Sequence, residues 1–268
     1  MLLYTDQLQE TICLTGKPGR IISVVPSQSE LLYSLGLENE VIGITKFCVH
    51  PEEWYHSKTR VGGTKNLNLS LIASLKPDLI IANKEENIKE QITELKKICP
   101  VWVSDVNNLS DALEMIKTLG NITGKHEKAA ALCAAIEKGF KDLIIEDKVL
   151  IPAAYLIWRN PYMVAGGNTF INDMLVYCGL KNQFRNISRY PEINLTELKK
   201  LNAPLILLSS EPYPFTTEHI AEIKLEIPNA RVLLADGEMF SWYGSRLVLS
   251  AAYFRQFREK IRMIRNME

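Results

Sequence analysis

The chain has 268 residues, of which 47% are hydrophobic and 23% are charged, which is ordinary for a soluble globular protein of one large or two modest domains. Its 31 lysine and arginine residues balance 31 aspartate and glutamate residues, so charge predicts neither a nucleic acid nor an anionic membrane as partner. The five cysteines are scattered without a C-x-x-C pair, which argues against a disulfide framework and a zinc cluster.

The N-terminal segment, MLLYTDQLQETICL, has neither the basic start nor the apolar run of a signal peptide. No stretch of about 18 apolar residues occurs in the sequence, so no membrane-spanning helix is predicted. On these grounds we expect a cytoplasmic protein. The alternative is a periplasmic protein whose leader is missing from this chain.

The first predicted elements are a buried strand and a short helix. Ile21–Val25 is an apolar, β-branched run, which Pro26 ends. The helical stretch Leu31–Leu35 follows and stops at Gly36. Ser27 and Glu30 have the S-x-x-E spacing of a capping box, which predicts that the helix begins there.

Strands and helices then alternate along the N-terminal half. Val41–Ile44, Leu79–Ala82 and Val101–Val103 are predicted strands. Between the last two lies a predicted helix, Glu85–Ile98, with its isoleucines and Leu95 on one face. This order predicts a parallel sheet that is covered by helices.

A long helix is predicted in the middle of the chain, at Lys125–Asp147. It carries one apolar stripe, and a length of about 30 Å follows from the helical rise per residue. The alternation then resumes with strands at Ala153–Trp158, Leu205–Ser209 and Val232–Leu234 and helices at Thr169–Cys178 and about Arg246–Ile264. The mid-chain position of the long helix suits a connection between two lobes.

An internal match supports two lobes of similar topology. Residues 68–80, NLSLIASLKPDLI, align without gaps on residues 194–206, NLTELKKLNAPLI, and both segments indicate a short helix, a turn and a buried strand. We therefore predict an α/β fold of two Rossmann-like lobes with mainly parallel sheets, joined by a single long backbone helix. The predicted boundaries are an N-terminal lobe of residues 1–122, a linking helix of 123–147 and a C-terminal lobe of 148–268.

Enzyme signatures are absent from the sequence: there is no G-x-G-x-x-G, no G-K-[ST] loop, no G-x-S-x-G elbow and no H-x-x-x-H pair. Loops after predicted strands instead combine aromatic and polar residues, and such loops lie where open α/β sheets bind ligands. These loops are Phe47–Pro51, Trp158–Tyr162, Glu211–Phe215 and Phe240–Arg246. Together they predict a wide, aromatic-lined cleft between the lobes.

Two of these loops allow a second interpretation. Cys48 and His50 stand two residues apart and could contact a metal centre, or they could be an ordinary loop cysteine and a surface histidine. Phe240 and Trp242 could offer exposed aromatic faces to a flat ligand, or they could pack beneath the final helix.

Several segments, in order from about Thr5 to Phe257, resemble the class III solute-binding proteins of ABC importers. This family of helical-backbone metal receptors includes the cobalamin-binding and iron-siderophore-binding proteins, and the sequence resembles the cobalamin-binding branch most. The matching segments are RIISVVPSQSE at 20–30 with Leu35-Gly36, LKPDLI at 75–80, AGGNTFI at 165–171, and the helix start at Ser245-Arg246.

The resemblance implies two lobes on one backbone helix and a cobalamin, haem or ferric siderophore-like chelate between them. It implies ligand contacts near Phe47, Thr64, Phe240 and Arg246. It also implies docking on an ABC permease through an acidic residue on each lobe. Glu197 matches this pattern on the second lobe, whereas Ser70 stands at the corresponding place on the first.

We therefore predict a monomeric solute-binding protein with no catalytic residue, no tightly bound cofactor and no nucleic-acid partner. A leaderless intracellular chelate carrier or sensor is the alternative, and a metal-cluster enzyme is the third reading. Any metal ligands stay unknown, with His50 and Cys48 as candidates. The predicted ligand-binding residues are Ser27, Gln28, Phe47, His50, Thr64, Trp158, Arg159, Tyr213, Phe240, Trp242, Tyr243 and Arg246.

Overall fold

The computed structural model describes residues 1–143 and 150–266, and these residues separate into two compact units. Unit 1 comprises residues 1–106, 110–135 and 243–246, and unit 2 comprises the remaining described residues. This division differs from the predicted domains, because it falls within the long helix and assigns a short C-terminal segment to unit 1. That segment belongs to unit 1 because Arg246 forms an ion pair with Glu30 and Gly244 lies against Ser27.

Unit 1 contains one parallel sheet and two small hairpins. The sheet has the strand order β5-β4-β3-β8-β9, while β1 pairs with β2 and β6 with β7 in antiparallel fashion. Its elements are β1 (Leu2–Thr5), β2 (Thr11–Leu14), β3 (Ile21–Ser23), α1 (Pro26–Ser34), β4 (Val41–Ile44), α2 (Glu52–Ser57), β5 (Thr59–Arg60), β6 (Gly62–Gly63), β7 (Asn66–Leu67), α3 (Leu69–Ser74), β8 (Leu79–Asn83), α4 (Lys89–Leu95), β9 (Val101–Ser104) and α5 (Leu109–Ile122).

The start of α1 differs from the prediction. Pro26 is the first residue of α1, Val25 is its N-cap, and no side chain caps the helix. Proline suits this position because its ring presets the helical φ and the N–H it lacks would have no helical acceptor. The predicted capping box of Ser27 and Glu30 is therefore wrong, and both residues lie inside the helix.

The long helix α6 (His126–Lys141) contributes residues to both units, since the division falls between positions 135 and 136. Its apolar stripe is buried as predicted, and includes Ala129, Cys133, Ile136 and Phe140. Residues 142 and 143 form a turn, so the helix ends earlier than predicted; the predicted residues 144–147 lie outside the described residues.

Unit 2 contains a mixed, mainly parallel sheet. Its strand order is β13-β11-β10-β14-β15, with β12 beside β10; β10, β12, β14 and β15 are parallel, and β11 and β13 run antiparallel to their neighbours. Its elements are β10 (Ile151–Trp158), β11 (Tyr162–Val164), α7 (Phe170–Tyr177), β12 (Leu180–Asn182), β13 (Glu192–Ile193), α8 (Leu195–Leu201), β14 (Leu205–Ser209), α9 (Thr217–Glu226), β15 (Arg231–Ala235), α10 (Gly237–Ser241) and α11 (Leu247–Asn266). Over the described ranges, no helix combines the length and the apolarity needed to cross a membrane.

The internal match of the sequence corresponds to the same local structure in both units. Asn68 and Asn194 are the N-caps of α3 and α8, and each side chain accepts a hydrogen bond from a backbone N–H three residues later. The aligned residues Lys76 and Asn202 both have a φ of 48° in the left-handed region. A parallel strand follows in each unit, β8 in one and β14 in the other. The prediction of two matching segments is confirmed.

Candidate ligand-binding site

Strands β3 and β4 of unit 1 end in a buried polar cluster that includes Cys48. The Ser29 hydroxyl donates to the Ser23 hydroxyl at 2.8 Å, and the Cys48 Sγ lies 3.1 Å from the Ser29 Oγ and 3.2 Å from the Thr45 Oγ1. Burial raises the pKa of the Cys48 thiol, so Cys48 stays a thiol near neutral pH. Cys48 therefore anchors its loop to the core of unit 1.

The rest of this loop faces a different environment. The Phe47 ring is 50% exposed, with the Lys46 ammonium 5.1 Å from its centroid, while His50 is half-buried. Within residues 1–143 and 150–266, no three His, Cys, Asp or Glu side chains are grouped as metal ligands. A metal role for His50 or Cys48 stays a prediction, and the core position of the Cys48 thiol favours a structural role for that residue.

A second buried polar cluster lies at the ends of β8 and β9. The Gln28 amide and the Asn83 amide both donate to the Ser104 hydroxyl, the latter at 2.9 Å. The Asn87 amide donates to the Thr64 carbonyl at 3.0 Å, which fixes the backbone of this predicted ligand residue. The sequence gives no signal for Asn83, Asn87 and Ser104. Isolated polar residues after a predicted strand are as typical of a solvated loop as of a buried polar cluster.

Glu86, in the same loop after β8, is a further residue that sequence analysis missed. Its side chain is half-buried, and burial raises the pKa of its carboxyl group, while the nearby Lys65 ammonium lowers it. The run Lys84–Glu86 has the composition of an ordinary charged turn, so only the folded structure distinguishes this carboxyl group from its neighbours.

Arg246, a predicted ligand residue, is engaged in an ion pair within unit 1. Its guanidinium donates to both carboxylate oxygens of Glu30, at 2.6 and 3.0 Å, and its side chain is only 8% exposed. The preceding Gly244 has a φ of 138° and packs so close to Ser27 and Leu31 that a β-carbon would lie 3.2 Å from the Ser27 carbonyl oxygen. The segment is thus fixed on α1, and the Arg246 guanidinium, which was predicted to contact a ligand, binds the Glu30 carboxylate.

The aromatic residues that precede Arg246 are buried. Phe240 is fully buried in unit 2, with its ring centroid 4.8 Å from that of Phe254 and 5.1 Å from that of Tyr155. Trp242 and Tyr243 are also buried. For Phe240 the structure thus shows the second interpretation of the sequence, packing beneath the final helix, and the expected exposed face is not present.

Unit 2 brings three predicted residues together at the ends of β10 and β14. The Trp158 ring is 39% exposed and meets the Tyr213 ring edge-on at a centroid distance of 5.7 Å. The Arg159 guanidinium donates to Glu222 at 2.8 and 3.0 Å, and its pKa is raised by Glu222 first and then by the hydroxyl groups of Tyr162 and Tyr213. Tyr162 lies at the end of a predicted strand-end loop but was not among the predicted ligand-binding residues. Glu222 was not predicted, because its place in α9 lies outside those loops.

A cavity of about 470 Å³ lies in unit 2 at the carboxyl ends of β14 and β15. It is lined by Ser210, Glu211, Leu234, Ala235, Asp236 and Glu238. Its acidic groups already take part in local structure: the Glu211 carboxylate accepts from the Ser241 hydroxyl, and the Asp236 carboxylate caps α10 at the Glu238 N–H. Glu211 belongs to the loop that carries Tyr213, but neither Trp158 nor Tyr213 lines this cavity.

Comparison with known proteins shows the family to which this chain belongs. The model of a family described as periplasmic binding protein matches residues 21–228. The chain belongs to the periplasmic binding protein family. A vitamin B12-binding protein of Vibrio campbellii is 27% identical over 219 residues, which are 80% of this chain and 78% of that protein. An uncharacterized ABC transporter substrate-binding lipoprotein of Bacillus subtilis, YvrC, is 27% identical over 212 residues, which are 75% of this chain and 67% of that protein.

A solved structure shows the same fold. A periplasmic heme binding protein from Pseudomonas aeruginosa superposes with a TM-score of 0.77 at 21% identity, covering 88% of this chain and 91% of that chain. The predicted two-lobed α/β fold of this periplasmic binding protein is therefore confirmed. The names of the two sequence relatives describe binding and transport, and neither name supports the cytoplasmic prediction.

Proposed function

We propose that this periplasmic binding protein captures a metal chelate of the cobalamin, haem or ferric siderophore class and delivers it to an ABC permease. The observation that carries the proposal is an exposed aromatic ring at the carboxyl end of a parallel strand in each unit. Phe47 follows β4 of unit 1, and Trp158 ends β10 of unit 2. Half-exposed rings held by fixed loops suit the flat, apolar faces of such chelates.

The polar groups around these rings favour binding without chemistry. In unit 2, Arg159 and Tyr162 are tied to Glu222, and in unit 1 Arg246 is tied to Glu30, so both sites are ordered before a ligand arrives. Preorganised groups lower the entropy cost of binding. We propose that the protein works as a monomer outside the cytoplasm, as the lipoprotein and periplasmic names of its relatives suggest, and that the chelate is cargo rather than a resident cofactor.

Titration with chelates tests this function. Purified protein is mixed with cyanocobalamin, haemin and a ferric hydroxamate siderophore, and the visible spectrum is followed. We expect one of the three to bind saturably at one equivalent, with a Kd in or below the micromolar range, about −8 kcal/mol or stronger. A panel in which no chelate binds would overturn the proposal.

We propose that Glu197 docks this protein on its permease. Its exposed carboxylate lies in the first turn of α8 and also accepts a hydrogen bond from the Asn194 N–H at 2.9 Å, completing a capping box. The variant Glu197→Gln tests this role, because glutamine retains the helix cap and removes the charge that would pair with a permease arginine.

We expect Glu197→Gln to weaken docking at least about fivefold with unchanged Tm, since a hydrogen bond to a charged group contributes about 1.5–3 kcal/mol. Glu197→Ala is expected to weaken docking equally and also to lose about 0.5–1 kcal/mol of stability with the cap. Docking is measured as stimulation of ATP hydrolysis by the permease reconstituted in nanodiscs. Wild-type stimulation by Glu197→Gln would contradict this role.

A further inference from the structure

His219, in the first turn of α9, connects the start of that helix to the Tyr213 hydroxyl. Its Nδ1 lies 2.9 Å from the Thr216 backbone nitrogen, and its Nε2 lies 3.1 Å from the Tyr213 Oη. Its ring also meets the Tyr213 and Phe215 rings edge-on, at centroid distances of 5.4 and 5.3 Å. No sequence motif or predicted ligand contact involves this histidine.

The contact with Thr216 decides the tautomer of His219. A backbone N–H can only donate, so Nδ1 must accept and carries no proton. The proton of the neutral imidazole is then on Nε2, where it is donated to the Tyr213 oxygen. His219 thus makes Tyr213 an acceptor on this side.

The Tyr213 hydroxyl has one proton, and its contact with His219 does not use that proton. Because His219 Nε2 donates and cannot accept, the hydroxyl proton of Tyr213 must point toward another group. The Tyr213 ring meets the partly exposed Trp158 ring edge-on at a centroid distance of 5.7 Å, so Tyr213 lies beside the surface that carries Trp158.

The charges around Tyr213 cancel. The Arg159 cation is paired with the Glu222 carboxylate, which also accepts from the Tyr162 hydroxyl at 2.9 Å. A neutral imidazole adds no charge. A ligand carboxylate would therefore gain little attraction here and would meet Glu222, whereas a neutral carbonyl oxygen can accept the Tyr213 proton without that repulsion.

We infer that His219 is a positioning residue that turns Tyr213 into a hydrogen-bond donor for a neutral acceptor oxygen, such as a peripheral primary amide, on a chelate seated against Trp158. The inference rests on the proposed function and deepens it. Among the proposed chelates it favours one with amide side chains over one with carboxylates.

Two substitutions at position 219 separate positioning from helix capping. His219→Glu keeps the acceptor for the Thr216 N–H, as glutamate does in an ordinary capping box, but a carboxylate can only accept from Tyr213 and so redirects the hydroxyl proton away from the ligand. His219→Gln keeps both an acceptor and a donor. A purely structural role in capping predicts that both variants behave like the wild type.

Cyanocobalamin binding is measured by calorimetry for the wild type, His219→Glu, His219→Gln, Tyr213→Phe and the His219→Glu/Tyr213→Phe pair. We expect His219→Glu and Tyr213→Phe each to weaken binding about five- to tenfold, with no further loss in the pair, because both remove one hydrogen bond. We expect His219→Gln to bind within about twofold of the wild type, since it retains that bond. Three results would overturn the inference. They are wild-type affinity of His219→Glu for cyanocobalamin, equal losses of affinity in His219→Glu and His219→Gln, and a Tyr213→Phe variant that loses affinity for haemin but not for cyanocobalamin.

A measurement without ligand separates this inference from the proposed function. The ¹⁵N shifts of His219 in the free protein are expected to show a neutral imidazole protonated at Nε2. If the wild type bound no chelate, the proposed function would fail while this tautomer still tested the positioning contact. A proton on Nδ1 would overturn the inference whatever the ligand result.

Discussion

Replacing Glu30 by alanine is expected to lower the free energy of unfolding by about 3 kcal/mol, because the largely buried Arg246 guanidinium then loses its carboxylate partner. The two side chains join α1 to a segment that lies 216 residues later in the sequence, through hydrogen bonds of 2.6 and 3.0 Å. The change should lower the midpoint of urea denaturation, followed by tryptophan fluorescence. Trp54 and Trp102, both fully buried in unit 1, report on that unit.

An exposed ion pair on the same unit is the matched control. Lys97 and Glu94 lie 2.7 Å apart with both side chains more than half exposed, and Glu94→Ala should cost less than about 1 kcal/mol, as surface pairs do. Replacing both members of the buried pair, as Glu30→Leu with Arg246→Met, should restore much of the loss, because both buried charges of the pair are then removed. If Glu30→Ala cost no more than Glu94→Ala, the ion pair would not fix this segment.

The fold was predictable because the strands of both sheets are continuous apolar runs. Strands β4 and β14 have the predicted bounds, and β8, β9 and β15 differ by only one or two residues. Such runs pack on both faces of a parallel sheet, so local hydrophobicity is sufficient to locate them. Local pattern also located the short helices α3 and α8, whose capping by Asn68 and Asn194 depends on residues within one helical turn.

The predictions that differ from the structure depend on partners far along the chain. Glu30 has capping-box spacing, but its partner is Arg246; only the fold brings them together, and Pro26 begins the helix four residues before Glu30. Phe240 and Phe47 are both aromatic residues in predicted strand-end loops, yet one is buried and the other is half-exposed. Sequence pattern identifies the loop, whereas packing decides which ring in the loop is free to contact a ligand.

The polar residues of the candidate site were only partly predictable for the same reason. Trp158 ends β10, Arg159 follows it, and Tyr213 follows β14. These two strands are parallel neighbours, so strand order alone places the three residues near one another. Glu222 and His219 come from α9, and their contacts depend on how that helix packs against the sheet. No period or spacing in the sequence carries that information.

The two phenylalanines allow a direct test of this distinction. Phe240→Ala is expected to lower the free energy of unfolding by about 3–5 kcal/mol, because it leaves a cavity among Tyr155, Phe254 and Phe257 in the core of unit 2. Phe47→Ala removes a ring that is already half-exposed and should change stability by less than about 1 kcal/mol. Stability is measured by urea denaturation monitored by circular dichroism.

Chelate affinity should change in the opposite order. Phe47→Ala is expected to weaken binding about tenfold or more, as truncation of an aromatic anchor does, while folded Phe240→Ala protein should retain a Kd within about threefold of the wild type. Calorimetry at a temperature where both variants are folded checks this, with the ligand that the wild type binds. Equal losses of affinity would mean that Phe240 reaches the ligand through its loop, and an unchanged Kd in Phe47→Ala would remove the loop after β4 from the binding site. Opposite signatures in stability and affinity would show that one aromatic loop motif serves two separate purposes in this fold, core packing at Phe240 and ligand contact at Phe47.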